Sequence, residues 1–386
     1  MYQDDALPRR ALLGVQVGRS LDVERVIEGG AAAAAALQVG DVLVALDGAP
    51  VRDASELAAR ARTLRGGARV TFRARRGEMT IERAATAPPF PTEPDVLLGH
   101  VVSRGARLRT FFSIPEREGP LPAMLYMQSI RAHSVEAPLD VENPVRELVA
   151  TFAKAGFVAM RVERSGVGDS EGASPETTGL ATELDAYRSA LAELRAFDEV
   201  DPARVVVIGH SFGGVLAPLV ARDVAGVIAF GASAERWHDT MLGTTRRQKD
   251  RNEEDMRLWE ELFQLVHRGG LSPQRAFELH SHLRPLRSRD CAGETMYGRH
   301  ASLFRELDAT DLEAAWRDVR ARVLALHGEH DWICTLDQAK RIAELSRGRF
   351  EELRESGHDL DARVIAAMVA FAQTVTDPQP PGKTQP

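Results

Sequence analysis

The sequence predicts an α/β fold. An eight-stranded, mostly parallel sheet carries a helical insertion after its sixth strand, and a small β-rich domain precedes it. Three observations carry this reading. From about residue 96 onward, short stretches that read as strands alternate with helical ones, as parallel strands joined by crossover helices require. The alternation breaks between about Ala234 and Trp316, where a polar, Arg-rich stretch takes a helical period. Four prolines within Thr86–Pro94 separate the leading segment, and such a stretch is expected to be an extended, semi-rigid connector.

In the leading segment, 12–17 and 21–27 read as strands and Ala31–Ala36 as a short helical turn. Residues 40–48 form a strand closed by the Asp47-Gly48 turn. Ser55 is expected to cap a helix running to about Leu64, with Glu56 in its first turn and Gly66-Gly67 ending it. Residues 70–75 and 78–83 pair across Arg76-Gly77.

In the main segment the expected strands are Val96–Ser103, Arg107–Ile114, Ala123–Gln128, Val158–Val162, Val205–Gly209, Gly226–Gly231, Val323–His327 and Phe350–Glu355. The helices are Pro144–Ala155, Thr178–Phe197, one directly after Ser211, Asp337–Ser346 and Asp361–Val375. Pro218 falls inside the helix after Ser211, where it removes a bond to the Gly214 carbonyl and should kink the helix. Aromatic residues and methionines in the insertion, among them Trp237, Trp259, Phe263 and Phe304, argue for a packed unit. The expected organisation is 10–87 for the small domain, 88–95 for the linker and 96–376 for the main domain. The insertion spans about 234–316, and 377–386 form a loose tail.

Composition narrows the function classes. A net charge of −7 offers no basic excess for nucleic acid. No apolar run reaches the length of a membrane span. The first ten residues carry early acids and no apolar h-region, which is not the pattern of a secretory signal. With only two cysteines, Cys291 and Cys334, a reducing, cytoplasmic setting without a disulfide framework is expected.

The chemistry concentrates at Gly209-His210-Ser211-Phe212-Gly213, a G-x-S-x-G stretch between a β-branched strand and a helix. A serine at such a sharp turn presents its hydroxyl above the sheet beside the free N–H groups of a helix start. This is similar to the nucleophile elbow of the α/β-hydrolases, and the eight-strand count with an insertion after the sixth strand resembles capped members of that family. The resemblance implies a chain order of Ser, acid and His. Asp331, after the seventh strand, matches the family's acid position, and His358, after the eighth, its base position. Glu329 is the nearest competing acid. Asp359 is poorly placed to orient the ring beside it. His210, His238, His280, His282, His300 and His330 are expected to be structural or surface residues of the insertion.

The resemblance also implies an oxyanion hole built from the backbone N–H groups of Phe212 and Ile130. Here the sequence departs from the family, because Gln128 and Ser129 stand where His-Gly is usual. The Arg164–Gly172 stretch resembles the Arg-led G-x-G-x-S loop of many relatives and is expected to pack near the pocket floor. Its glycines do not make G-x-G-x-x-G, and neither HExxH nor CxxC occurs, so no nucleotide, cofactor or metal is expected.

The leading segment resembles a bacterial-type PDZ domain through Leu13-Gly-Val15, 39–43 and Leu46-Asp-Gly48. That resemblance implies a carboxylate-binding loop at Leu12, Leu13 and Gly14 for a peptide or protein C-terminus. Packing on a neighbour or a dimer partner is the other use of such a fold. The expected activity is a serine hydrolase acting on a small-molecule carboxylic ester or thioester through an acyl-enzyme. Peptidase, amidase and acyltransferase chemistry use the same triad, and a silent scaffold is the reading from another class. The oligomeric state is not legible.

Overall fold

The computed structural model describes residues 7–249, 251–288 and 291–377, in two compact units divided between Pro94 and Asp95. The expected tail beyond Asp377 lies outside the described residues.

The first unit pairs Val15–Val17 with Val23–Val26 in an antiparallel ribbon. Four further strands run in the order Ala49–Pro50, Val42–Leu46, Arg69–Arg76 and Met79–Thr86. The last two turn on Gly77-Glu78, since Arg76 pairs with Met79, one residue later than the sequence suggested. Asp53, not Ser55, caps helix Ala54–Thr63, its carboxylate accepting from the Glu56 N–H at 2.8 Å. Asp53 holds the extended backbone that an N-cap needs, while Ser55 is already helical. Leu13, Leu21, Val23, Leu43, Leu57, Val70 and Phe72 fill the core.

The proline-rich stretch is no free connector at its start. The Phe90 N–H donates to the Arg10 carbonyl at 2.7 Å, and the Arg9 guanidinium donates to the carbonyls of Phe90 and Pro91. Prolines have no N–H to give, so carbonyls and the Phe90 amide tie the segment to this unit. The same edge occupies one predicted site donor. The Leu12 N–H donates to the Pro88 carbonyl at 2.8 Å, so Leu12 is corrected as a carboxylate donor. Leu13 is buried, and Gly14 sits at φ +68° beside Gly30.

The second unit is built on eight strands, β1 (Leu97–Ser103), β2 (Ala106–Ser113), β3 (Leu121–Met127), β4 (Val158–Val162), β5 (Val200–His210), β6 (Gly226–Phe230), β7 (Arg322–Gly328) and β8 (Arg349–Leu353). Their order is β1-β2-β4-β3-β5-β6-β7-β8, antiparallel at β1–β2–β4 and parallel elsewhere. Side chains of β3, β4 and β6, of β5 from Val205 on and of β7 from Val323 on are buried, the mark of a parallel sheet covered on both faces.

The crossovers are α1 (Pro144–Lys154), α2 (Leu180–Ala196), α3 (Phe212–Val220) and α9 (Leu336–Ser346), and α10 (Ala362–Thr376) follows the last strand, the labels α4 to α8 belonging to the insertion. Their starts are written locally. Asn143 precedes Pro144, Thr335 and Gln338 form a capping box, and Asp361 accepts from the Arg363 and Val364 amides. Leu148 and Phe152 of α1 and Val364 and Met368 of α10 pack on Met124, Ile208, Phe230 and Leu326. Burial of each such side chain stabilises by about 1.5–3 kcal/mol, which makes the sheet a rigid floor. Helix α3 continues through Pro218 and ends two residues later at Val220.

The inserted segment between β6 and β7 folds as α4 (Trp237–Arg247), α5 (Glu253–Phe263), α6 (Pro273–Leu279), α7 (Ala301–Asp308) and α8 (Leu312–Arg317). A small three-stranded ribbon, Cys291–Ala292, Thr295–Met296 and Arg299–His300, precedes α7.

Candidate active site

Strand β5 lies at the middle of the sheet between β3 and β6. It ends at His210, and α3 begins at Phe212, so Ser211 alone makes the turn. Its backbone takes φ 56° and ψ −120°, a region that costs a non-glycine residue about 1–3 kcal/mol. The surroundings over-determine that conformation. The Ser211 N–H donates to the Phe230 carbonyl at 2.8 Å, and the Ser211 carbonyl accepts from Gly214 at 2.9 Å. Gly213 is obligatory, because a Cβ there would overlap the Met127 carbonyl.

Two other strand ends meet this turn. After β7, the Asp331 carboxylate is fixed by the Ile333 and Cys334 amides at 2.8 and 3.0 Å on Oδ1. After β8, His358 places Nδ1 2.8 Å from Asp331 Oδ2 and Nε2 2.9 Å from Ser211 Oγ. The His330 N–H donates to the Ser356 carbonyl at 2.8 Å and binds the two loops together. Burial alone would raise the Asp331 pKa, but the His358 hydrogen bond, its charge and the two amides outweigh it and hold the carboxyl below its usual range. An ionised carboxylate only accepts, so Nδ1 carries the proton and Nε2 is free to accept from the serine hydroxyl. Glu329, the rival acid, is engaged elsewhere, accepting from the Glu355 N–H at 2.9 Å. Asp359 is exposed.

The loop after β3 is held from below. Arg164 donates to the carbonyls of Ser129 and Arg131 at 2.6 Å each and to that of Gln128 at 3.5 Å. Arg299, from the inserted segment, donates to the Ile130 carbonyl at 3.3 Å. Glu183 of α2 lies between the two guanidinium groups, 2.6 Å from each. Burial acts against the Glu183 charge, yet Arg164 and Arg299 together pull its pKa below normal. Burial also lowers the Arg299 pKa, with Glu183 opposing it. Arg164 was expected only to pack near the pocket floor, and it does much more than pack. The Gln128 N–H donates to the Tyr187 hydroxyl at 3.2 Å. Phe212 follows Ser211 directly as the first residue of α3, and Ile130 lies in this loop after β3.

A profile of the alpha/beta hydrolase family matches residues 139–373, more than half of the chain. The chain belongs to the α/β hydrolase family. A PDZ-domain profile matches residues 23–76, and the first unit carries that domain. The quorum-quenching protein AidA of Acinetobacter baumannii is 35% identical over 63 residues. That match takes in 16% of this chain and 21% of the relative, so it spans about a fifth of that protein's length. Est1E from Butyrivibrio proteoclasticus superposes with a TM-score of 0.49 at 14% identity, over 72% of this chain and 98% of that one. For acetyl xylan esterase 1 from Thermoanaerobacterium the TM-score is 0.46 at 16% identity, over 74% and 85%.

Two residues near this turn escaped the sequence reading. Gly231, just after β6, has φ +59°, and a Cβ there would stand 2.7 Å from His358 Cε1 and 3.2 Å from Asp331 Oδ2. It was legible only as the end of a strand. His210 was assigned a structural role, and its ring reaches the base loop, with Nε2 2.9 Å from the His358 carbonyl.

Two groups of ligand-type side chains converge among the described residues. One is Asp331, Cys334 and His358. Burial pushes the Cys334 thiol far above its ordinary pKa, and it donates to the Gly231 carbonyl at 3.0 Å. The other is Glu261, His280 and His282 on the inserted segment, where the carboxylate lies 3.2 and 2.8 Å from the two rings. A His-x-His pair with a distant Glu fits none of the spacings searched in the sequence. No helix of the described residues is long and apolar enough to cross a membrane.

Proposed function

We propose that the chain is a serine hydrolase that cleaves a carboxylic ester or thioester through an acyl-enzyme on Ser211. The observation that carries this reading is the unbroken chain of contacts Ser211–His358–Asp331, at 2.9 and 2.8 Å. In the forward step His358 Nε2 takes the hydroxyl proton while Oγ attacks the acyl carbon. The tetrahedral intermediate then collapses, and His358 returns the proton to the departing alkoxide or thiolate. Water repeats the sequence on the acyl-enzyme and releases the acid. Asp331 keeps the proton on Nδ1 and stabilises the imidazolium, and the Phe212 and Ile130 amides receive the oxyanion.

The inserted segment, about 234–316, acts as the cap that restricts which acyl group reaches Ser211. The PDZ domain is assigned the capture of a peptide C-terminus, through Leu13 and Gly14.

A panel of p-nitrophenyl esters and acyl thioesters tests the reading. Wild type releases the first product in a burst equal to the enzyme concentration, and Ser211→Ala shows neither burst nor turnover. Turnover of the panel by Ser211→Ala at the wild-type rate contradicts it.

A further inference from the structure

We propose that Arg299, carried on the inserted segment, is a positioning residue for the oxyanion loop: with Arg164 and Glu183 it locks the two peptide planes around Ile130. The proposal rests on the serine-hydrolase reading above and adds that seating of the insertion organises the site for the oxyanion.

The argument begins with peptide geometry. In a trans peptide the carbonyl and the following N–H point in opposite directions. Arg164 holds the Ser129 carbonyl at 2.6 Å, and this sets the direction of the Ile130 N–H. Arg299 holds the Ile130 carbonyl at 3.3 Å and thereby fixes the next plane. Every carbonyl from Gln128 to Arg131 accepts from one of the two guanidinium groups. Neither cation is free to move independently, because the Glu183 carboxylate grips both at 2.6 Å. Arg299 has no exposed surface, and its guanidinium carbon lies 5.8 Å from the centre of the Phe212 ring. One guanidinium therefore bonds the Ile130 carbonyl and faces the Phe212 ring, the two residues assigned to the oxyanion hole.

The segment carrying Arg299 is anchored where Glu183 originates. The N-cap residue of α2 is Gly179, which has no side chain to offer. Glu306 of α7 supplies the missing acceptor to the Leu180 N–H at 2.8 Å, and the His300 N–H donates to the Pro175 carbonyl at 3.1 Å. Two buried cations on one carboxylate are a poor source of stability, since apolar replacements of such triads are often neutral or better. They are well suited to fixing direction, because a guanidinium fork presents its donors rigidly.

Arg299→Lys and Arg299→Met test this in the full-length protein. Lysine keeps a cation opposite Glu183 but lacks the fork that also reaches Ile130. Three readouts are needed: kcat and KM on a p-nitrophenyl ester, the rate of Ser211 phosphonylation by a fluorophosphonate, and the affinity of a trifluoromethyl ketone that mimics the tetrahedral adduct. We expect kcat and the phosphonylation rate to fall about 10- to 100-fold with KM little changed. Ketone affinity should fall in step with kcat/KM, and the melting temperature of Arg299→Lys should stay within about 4 °C of wild type. A folded Arg299→Lys with wild-type kcat and labelling overturns the proposal while the serine-hydrolase reading stands. Wild type that is not labelled at all overturns both. If Arg299→Met does not fold, Arg299→Lys decides.

Discussion

The Nε2 atom of His210 lies 2.9 Å from the backbone carbonyl oxygen of His358. A carbonyl only accepts, so Nε2 carries the proton and Nδ1 faces the Tyr126 hydroxyl at 3.4 Å. The ring is buried and stacked on Phe230, with centroids 5.5 Å apart. The residue before the serine thus pins the backbone of the base. His210→Ala should leave that carbonyl without its donor, at a cost of about 1–3 kcal/mol, and lower kcat/KM about tenfold. His210→Gln, whose amide reaches the Nε2 position, should recover most of the loss. Steady-state kinetics and urea unfolding of both variants check this, and equal activity of Ala and Gln variants would refute the pinning role.

Burial depresses the pKa of His210 to about 4 and that of His267 to about 3, against an ordinary 6.5. Unfolding returns both rings to water, where they bind protons near 6.5. Between that value and the folded one, the unfolded state holds more protons, so stability falls as the pH drops below about 6.5. The slope is up to about 1.4 kcal/mol per pH unit for each ring. Above 6.5 the effect vanishes. Urea midpoints measured from pH 7.5 to 4.5 should show a shallower decline in His210→Gln than in wild type; parallel curves would speak against it.

Gly231→Ala adds a Cβ 2.7 Å from His358 Cε1 at a positive φ. The backbone cost is about 1–3 kcal/mol. The larger consequence is a displaced imidazole. The variant should remain folded by circular dichroism and lose kcat by about tenfold or more. Undiminished kcat would show that the ring tolerates the displacement.

Asp331→Asn preserves shape and removes the charge that selects the His358 tautomer. In the serine-protease precedent this change lowers kcat about 10⁴-fold with intact geometry. A similar loss, with the melting temperature nearly unchanged, is the expected outcome here.

For the PDZ domain, a C-terminal peptide library should bind the full-length chain in a carboxylate-dependent manner. Gly14→Val, which forces a side chain at φ +68° within 2.8 Å of Gly30, should abolish that binding. Binding that survives C-terminal amidation would exclude the proposed mode.

Much of this was legible in the sequence because it is local. The G-x-S-x-G turn needs only a strand before it and a helix after it, and Asp331 and His358 each follow a short stretch that reads as a strand and ends in a turn. Helix starts such as Asn143-Pro144 are written in two residues. What escaped depends on distant partners. The N-terminus of α2 was placed two residues early because its capping carboxylate, Glu306, lies 126 positions away. The clamp on the loop after β3 draws Arg164, Glu183 and Arg299 from three separate parts of the sequence, and no spacing links them. Asp53 was passed over for Ser55 because both residue types cap, and only backbone conformation separates them.

The central claim is that Ser211 is the nucleophile activated by His358. A fluorophosphonate probe followed by peptide mapping addresses it directly. The account predicts one modification per chain, on the peptide containing Ser211, with none in Ser211→Ala and strongly slowed labelling in His358→Ala. Equal labelling of wild type and Ser211→Ala, or modification at another serine, contradicts it.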